Sequence, residues 1–307
     1  MAIQQYIRQV RLIVGADSGA GLDLSKMHIT FDIKKSDAET PNAAEIVVYN
    51  LNDDTAARIR NEYTKVILQA GYVSNFGTIF SGTIKQVRLG KENGTDSTLM
   101  ISAGDGDQAY ISSTVNTTLA AGASQNDQIA AAAQPMTEYG VTQGYVGGTD
   151  SVGTLARGKV MYGMSRDYIR QSAVTTGTTW SIQDGALQLV PRTGVLPGTA
   201  VVLSPTSGLI GTPEQTNDGV KLQCLLNPMI RVGGVVRIDH ATVAEAAAQN
   251  GSKASASQAP VGLSSNGLYR VLVVEYEGDT HGGPWYSKLN CLAMDASAPA
   301  GEEVSPE

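Results

Sequence analysis

Apolar and polar residues alternate over short stretches along most of the chain, with breaks at Gly, Pro, Asn and Asp. Tyr6, Val10, Leu12 and Val14 fall on one face of a first segment. Ile29, Phe31 and Ile33 then alternate with Thr30, Asp32 and Lys34. A period of two is the signature of a strand with one face buried. The same pattern predicts strands over 45–49, 65–70, 78–88 and 97–102, with Asn93-Gly94 as the hairpin turn between the last two. Asn52-Asp53-Asp54 predicts the cap of a short helix whose Ala56, Ile59 and Tyr63 share a face.

The texture changes after Gly104-Asp-Gly-Asp107. Ser124 with Asp127 has the spacing of a capping box opening an Ala-rich helix that stops at Pro135. A second helix is expected from Ser165, as its N-cap, through Tyr168, Ile169 and Ala173. Trp180 and Ile182, a tight Asp184-Gly185 turn, then Leu187 and Leu189 predict a hairpin. Strands return at 201–203, 220–226, 235–239, 269–276 and 287–294. Residues 244–267 hold hardly any large apolar side chain and are expected to be a mobile loop; 297–307 are expected to be a disordered tail.

Four strands of the opening region recur in order near the end. Residues 46–51 match 222–227, 66–70 match 235–239, 80–87 match 268–274, and 97–103 match 287–293. One such match means little, because strands resemble strands. Four in the same order point to two copies of one β-domain.

Composition narrows the function. The chain of 307 residues is 42% hydrophobic and 17% charged, enough apolar content to bury a core. Its formal net charge is −7, and no Lys/Arg cluster supplies the basic face that phosphate binding needs, so nucleic-acid binding is not expected. The opening residues hold no apolar signal segment, and no apolar run reaches the roughly 20 residues that span a bilayer. Cys224 and Cys291 are expected to be buried, reduced core residues.

The candidate chemistry is sparse. Gly15, Gly19 and Gly21 lack the Gly-Lys-Ser/Thr of a phosphate loop and predict a turn. Asp105 and Asp107 lack a following acid at Ca²⁺-loop spacing, which leaves a solvated corner. Gly163-Met-Ser165-Arg-Asp167 lacks the closing Gly of a nucleophile elbow. His28, His240 and His281 lie on separate segments; a Zn²⁺ site joining two of them to Cys224 and Cys291 is the less favoured reading. Asp53-Asp54 caps a helix and Glu302-Glu303 sits in the tail, so neither pair suggests a hydrolase. No catalytic, cofactor-binding or metal residue is assigned, and no cofactor is expected. Tyr139, Tyr145, Tyr162, Tyr168 and Trp180 are where a carbohydrate- or peptidoglycan-binding alternative would live, although they serve equally as core.

Pro41-Asn42-Ala-Ala-Glu-Ile46 through Tyr49-Asn-Leu51, Leu68-Gln-Ala-Gly71-Tyr72 and Ile79-Phe80-Ser-Gly82 resemble the opening domain of phage baseplate hub proteins. Gly208-Leu-Ile-Gly211-Thr-Pro213, Leu226-Asn-Pro228 with Gly233, Gly267-Leu-Tyr269-Arg-Val271 and the segment Glu277–Trp285 continue the likeness over residues 28–294. The resemblance, to hubs of contractile-tailed, Mu-like phages, implies a mainly β fold with a smaller α+β domain. Two tail-tube-like antiparallel β-barrel domains (1–108 and 198–296) would flank an α+β insert (109–197). It further implies a non-enzymatic virion protein assembled in the host cytoplasm, a homotrimer whose six barrels meet a hexameric tail tube or distal tail ring. The other face would receive a trimeric central spike, with a tape measure protein as a further partner. DNA would pass through the lumen unbound, and no membrane anchor is expected.

Overall fold

The computed structural model describes residues 7–16, 21–92, 94–149, 152–216, 219–238, 264 and 266–294. Most of the loop expected at 244–267, the whole tail 297–307, His240 and Glu302-Glu303 lie outside the described residues. The chain opens with β1 (Arg8–Gly15), β2 (Leu22–Asp23), β3 (Ile29–Ser36), β4 (Ala43–Tyr49), α1 (Asp53–Glu62), β5 (Lys65–Tyr72), β6 (Asn75–Glu92) and β7 (Asp96–Gly104). It continues through α2 (Asp107–Ser112), β8 (Thr114–Leu119), α3 (Gln125–Ala133), a 3₁₀ turn (Gln134–Tyr139), β9 (Thr142–Val146), β10 (Lys159–Met164), α4 (Ser165–Thr176), β11 (Thr178–Gln183) and β12 (Ala186–Pro191). Last come β13 (Val201–Leu203), β14 (Leu209–Thr216), β15 (Gly219–Leu225), β16 (Val235–Ile238), β17 (Leu268–Asp279) and β18 (Trp285–Ala293). The fold is mainly β and its sheets are predominantly antiparallel.

Two units emerge. The first holds residues 1–36, 43–103 and 197–307; the second holds 37–42 and 104–196. The first unit is one 13-stranded sheet in the order β14-β15-β18-β17-β3-β4-β7-β6-β5-β1-β2, with β16 also on β17 and β13 on β16. It contains two runs of the same connectivity: β3-β4-β7-β6-β5-β1 and β14-β15-β18-β17-β16-β13. They differ at the far end, where β1 is antiparallel to β5 but β13 is parallel to β16.

The order of the four sequence matches is therefore the order of the ladders. Their register needs two corrections. Val66 faces the core, as Val236 does and Val235 does not; a slip of one residue swaps the faces of a strand. Asn50 N donates to Ser97 O, while Leu226 N donates to Trp285 O, so Ser97 corresponds to Trp285 and not to Ser287. Closed barrels also need correction. Among the described residues neither run closes by a ladder onto itself, because the outer edge of β3 is taken by β17 of the other run.

One hydrophobic core serves both runs, from Leu12, Ile33 and Ile46 to Tyr269, Val274 and Trp285. Helix α1 starts at Asn52, whose side chain accepts from Thr55 N, and buries Ala56 and Ile59. Asn50 sits at φ 56°, a left-handed corner that asparagine tolerates.

The second unit has its own core around Ile129, Met136, Ile169, Trp180, Ile182 and Leu189. Its sheets are β10-β8 and β11-β12-β9. Ser124 and Asp127 form the expected capping box of α3. Helix α4 departs from expectation: Met164 is its N-cap and Ser165 lies inside the first turn, its buried hydroxyl without a hydrogen-bond partner among the described residues.

Candidate functional site

The seam where β3 meets β17 carries the most distinctive chemistry in the first unit. Seven residue pairs, from Ser36 with Val273 to Thr30 with Asp279, hold it in antiparallel register. On its core face Phe31 stands opposite Gly278, and a Cβ added there would fall 2.2 Å from the Phe31 ring. Phe31 in turn meets Trp285 edge-on, with centroids 5.5 Å apart. Arg8 of β1 lies over the Trp285 ring and donates to the carbonyls of Asp279 and Gly283 at 3.1 and 3.0 Å. The first run thus grips the hairpin end of the second.

At that end His28 stacks between Tyr49 and His281, each ring centroid 4.2 Å away. His28 Nε2 lies 2.9 Å from Asp279 Oδ1, which also accepts from His281 N at 2.7 Å. Burial raises the Asp279 pKa, but these hydrogen bonds outweigh it and the net direction is down. Two of the sequence's histidines therefore meet, although the cysteines do not join them. Cys224 and Cys291 are free and buried in the core on β15 and β18. Burial pushes the Cys224 thiol up to about 12 and the Cys291 thiol higher still than its ordinary value. Among the described residues no group of three His, Cys, Asp or Glu is placed to hold a metal ion.

The outward face of the seam is ionic. Glu45, Asp32 and Glu277 stand side by side across β4, β3 and β17. The next rung pairs Lys34 with Glu275 at 3.1 Å, and Lys288 reaches Glu277 at 2.7 Å. Burial first, then the charges of Glu275 and Glu277, raise the Asp32 pKa. Sequence reasoning missed this cluster because its parts lie some 240 residues apart; the alternation of charge in 30–34 and 275–279 was the available signal.

In the second unit, Glu39 accepts from Arg170 Nε at 2.8 Å and from Trp180 Nε1 at 3.0 Å. That hydrogen bond raises the Arg170 pKa. Asp105, expected in a solvated corner, is buried. Its carboxylate accepts the backbone N–H groups of Asp184 and Gly185, whose φ values of 52° and 78° make the tight turn between β11 and β12. Of the five central aromatics only Tyr162 is exposed; Trp180 is core, and Tyr168 accepts from Tyr162 N. Asp53 and Asp54 occupy the first turn of α1, as a cap would have them.

The site is thus an assembly of strand edges and ion pairs in a tail-protein type of fold. A 43 kDa tail protein of prophage MuSo2 from Shewanella oneidensis superposes with TM-score 0.59 at 8% identity, covering 96% of this chain and 100% of that one. A tail protein from Neisseria meningitidis gives 0.59 at 11%, with coverage of 96% and 100%. An E. coli type VI secretion component, described as structurally similar to the T4 tail proteins gp27 and gp5, gives 0.55 at 8%, with 96% and 80%. No curated protein matches the sequence. The family model of the baseplate hub gp41 matches residues 9–242, and the chain belongs to that family. It is therefore a structural component of a phage tail baseplate.

Proposed function

We propose that this chain is the central hub of the baseplate, a homotrimer whose two runs per copy make a pseudo-sixfold ring between the hexameric tail tube and a trimeric spike. One observation carries the reading: the run β3-β4-β7-β6-β5-β1 recurs as β14-β15-β18-β17-β16-β13 within a single sheet. Three chains with two copies each present six similar elements, which reconciles threefold with sixfold symmetry. The two runs act as tube-like domains and the unit around 104–196 as an insert between them. The carboxylate row Glu45-Asp32-Glu277 favours a surface past which DNA slides without binding, since like charge repels phosphate. The hub works by positioning its partners and needs no catalytic centre. Cryo-electron microscopy of the intact tail tip tests this. Three copies on the axis, with carboxylates of that row lining the channel, are expected; any other copy number or an off-axis position overturns it.

A further inference from the structure

The step into β17 is an Asn-Gly turn whose hydrogen bonds converge on one side-chain carbonyl. Asn266 Oδ1 accepts from Leu268 N at 3.0 Å and from Ser264 Oγ at 2.6 Å. Leu268 N can only donate, which fixes Oδ1 rather than Nδ2 at this position. Its bond closes an Asx turn, so the Asn266 side-chain carbonyl lies over the Gly267 peptide. Ser264 is fully buried and held in place: its N–H donates to Tyr269 Oη at 3.2 Å, and its Oγ accepts from Leu268 N at 3.2 Å. Gly267 sits at φ 69°, and a Cβ on it would fall 2.5 Å from Ile238 O, so no side chain can shield its nitrogen. That nitrogen donates only a long bond, 3.4 Å to Ser264 O. Asn266 itself is exposed, and among the described residues nothing holds its Nδ2 amide.

We infer that Asn266-Gly267 is a self-modifying site, where the folded chain converts Asn266 to aspartate and isoaspartate without an enzyme. The Gly267 nitrogen gives its proton to water and bonds to Asn266 Cγ, which puts a negative charge on Oδ1. Leu268 N–H and Ser264 Oγ–H already point at that oxygen and stabilise the charge as an oxyanion hole does. The Cγ–Nδ2 bond then breaks, Nδ2 takes a proton from water, and ammonia leaves behind a five-membered succinimide. Water adds to either ring carbonyl. Opening on one side gives aspartate; opening on the other gives isoaspartate, with one extra methylene in the main chain. The consequence falls on β17. Gly267 O accepts Ile238 N at 2.9 Å, and Leu268 pairs with Arg237. An added methylene at 266 displaces these first rungs of β16 on β17, ahead of the stretch Val273–Asp279 that forms the seam. A component of an assembled particle is not renewed, so the change accumulates with age.

The test incubates the full chain, folded in buffer and unfolded in urea, at the same mildly alkaline pH. Peptide mapping by mass spectrometry, with aspartate and isoaspartate separated, follows position 266 over time. Asn93-Gly94 and Asn250-Gly251 give the reference rate of the same dipeptide in the unfolded chain. Folding should speed conversion at 266 about tenfold over that reference, the worth of one hydrogen bond to a charged group. Isoaspartate should form part of the product. Ser264→Ala, checked as folded by its Tm, should lose the gain, and Asn266→Gln, which would have to close a six-membered ring, should stay unmodified. A wild-type chain that converts at 266 no faster folded than unfolded overturns the inference. So does a product that is aspartate alone, because direct hydrolysis bypasses the ring, or a folded Ser264→Ala variant that keeps the full rate. The wild-type comparison decides by itself if Ser264→Ala does not fold.

Discussion

Gly278 is the residue on which the seam turns. Glycine there is a matter of volume, because Phe31 fills the space that a Cβ would occupy. Gly278→Ala should destabilise the first unit by about 1–3 kcal/mol through overpacking, seen as a lower Tm; an unchanged Tm would mean that Phe31 can move aside. Asp32 lies across the strands from Glu45 and Glu277, and like charges set opposite one another destabilise a sheet. Asp32→Asn should therefore stabilise by about 0.2–1 kcal/mol at pH 7. The sign with pH follows from its raised pKa: the native state holds this proton more tightly than the unfolded chain. That stability is fully present below the ordinary 3.8 and lost as pH rises through the raised value. The gain from Asp32→Asn should accordingly vanish near pH 3, as denaturant titrations at the two pH values would show. Asp279 has the opposite sense, since its lowered pKa supports the fold above 3.8 and fails as acid protonates it.

At the scale of elements, two carboxylate anchors organise the second unit, Asp105 buried and Glu39 part-exposed. Asp105→Ala would strip two backbone N–H groups of their acceptor, and Glu39→Ala would leave Trp180 Nε1 without one. Each should cost about 1–3 kcal/mol. Arg170→Ala should cost less, its side chain being partly solvated. Urea melts of the three variants would rank them, and a neutral Asp105→Ala would sink the anchoring account. Neither anchor was legible in the sequence, where Asp105 read as a solvated corner, because its partners are backbone groups some 80 residues on. Strand β3 was legible from its one buried face, where Ile29, Phe31 and Ile33 alternate with polar residues, and the β11–β12 hairpin from its Asp184-Gly185 turn. Strand β8, Thr-Val-Asn-Thr-Thr-Leu, buries only Val115 fully and carries no such period. Strand β14 escaped because Gly211 and Pro213 interrupt its pattern at the bulge. The likeness of 46–51 to 222–227 did reveal the repeat. Its register did not follow from letters, since hydrogen bonds decide between offsets of one or two residues that conserve the same apolar texture.

Across the whole molecule, the decisive contact is between parts of the sequence separated by the insert. Because β17 pairs with β3 and one core contains residues of both runs, the halves of the first unit should not fold or unfold separately. A domain reading that cut the chain at about 108 and 198 would make each half independent. Amide hydrogen exchange distinguishes the two. Amides of β3, β4, β15 and β18 should share one opening free energy, since losing either run bares the edge of the other and exposes Trp285 and Phe31. The second unit, with its own core, should open by itself and at a different free energy. Residues 37–42 should exchange with the second unit although β3 and β4 flank them, because Glu39 is held by Arg170 and Trp180, and Asn42 Nδ2 donates to Ile182 O at 2.8 Å. If β3 and β4 stayed protected while β15 and β18 exchanged freely, the runs would be separable domains. The internal seam would then be a docking contact rather than part of the fold.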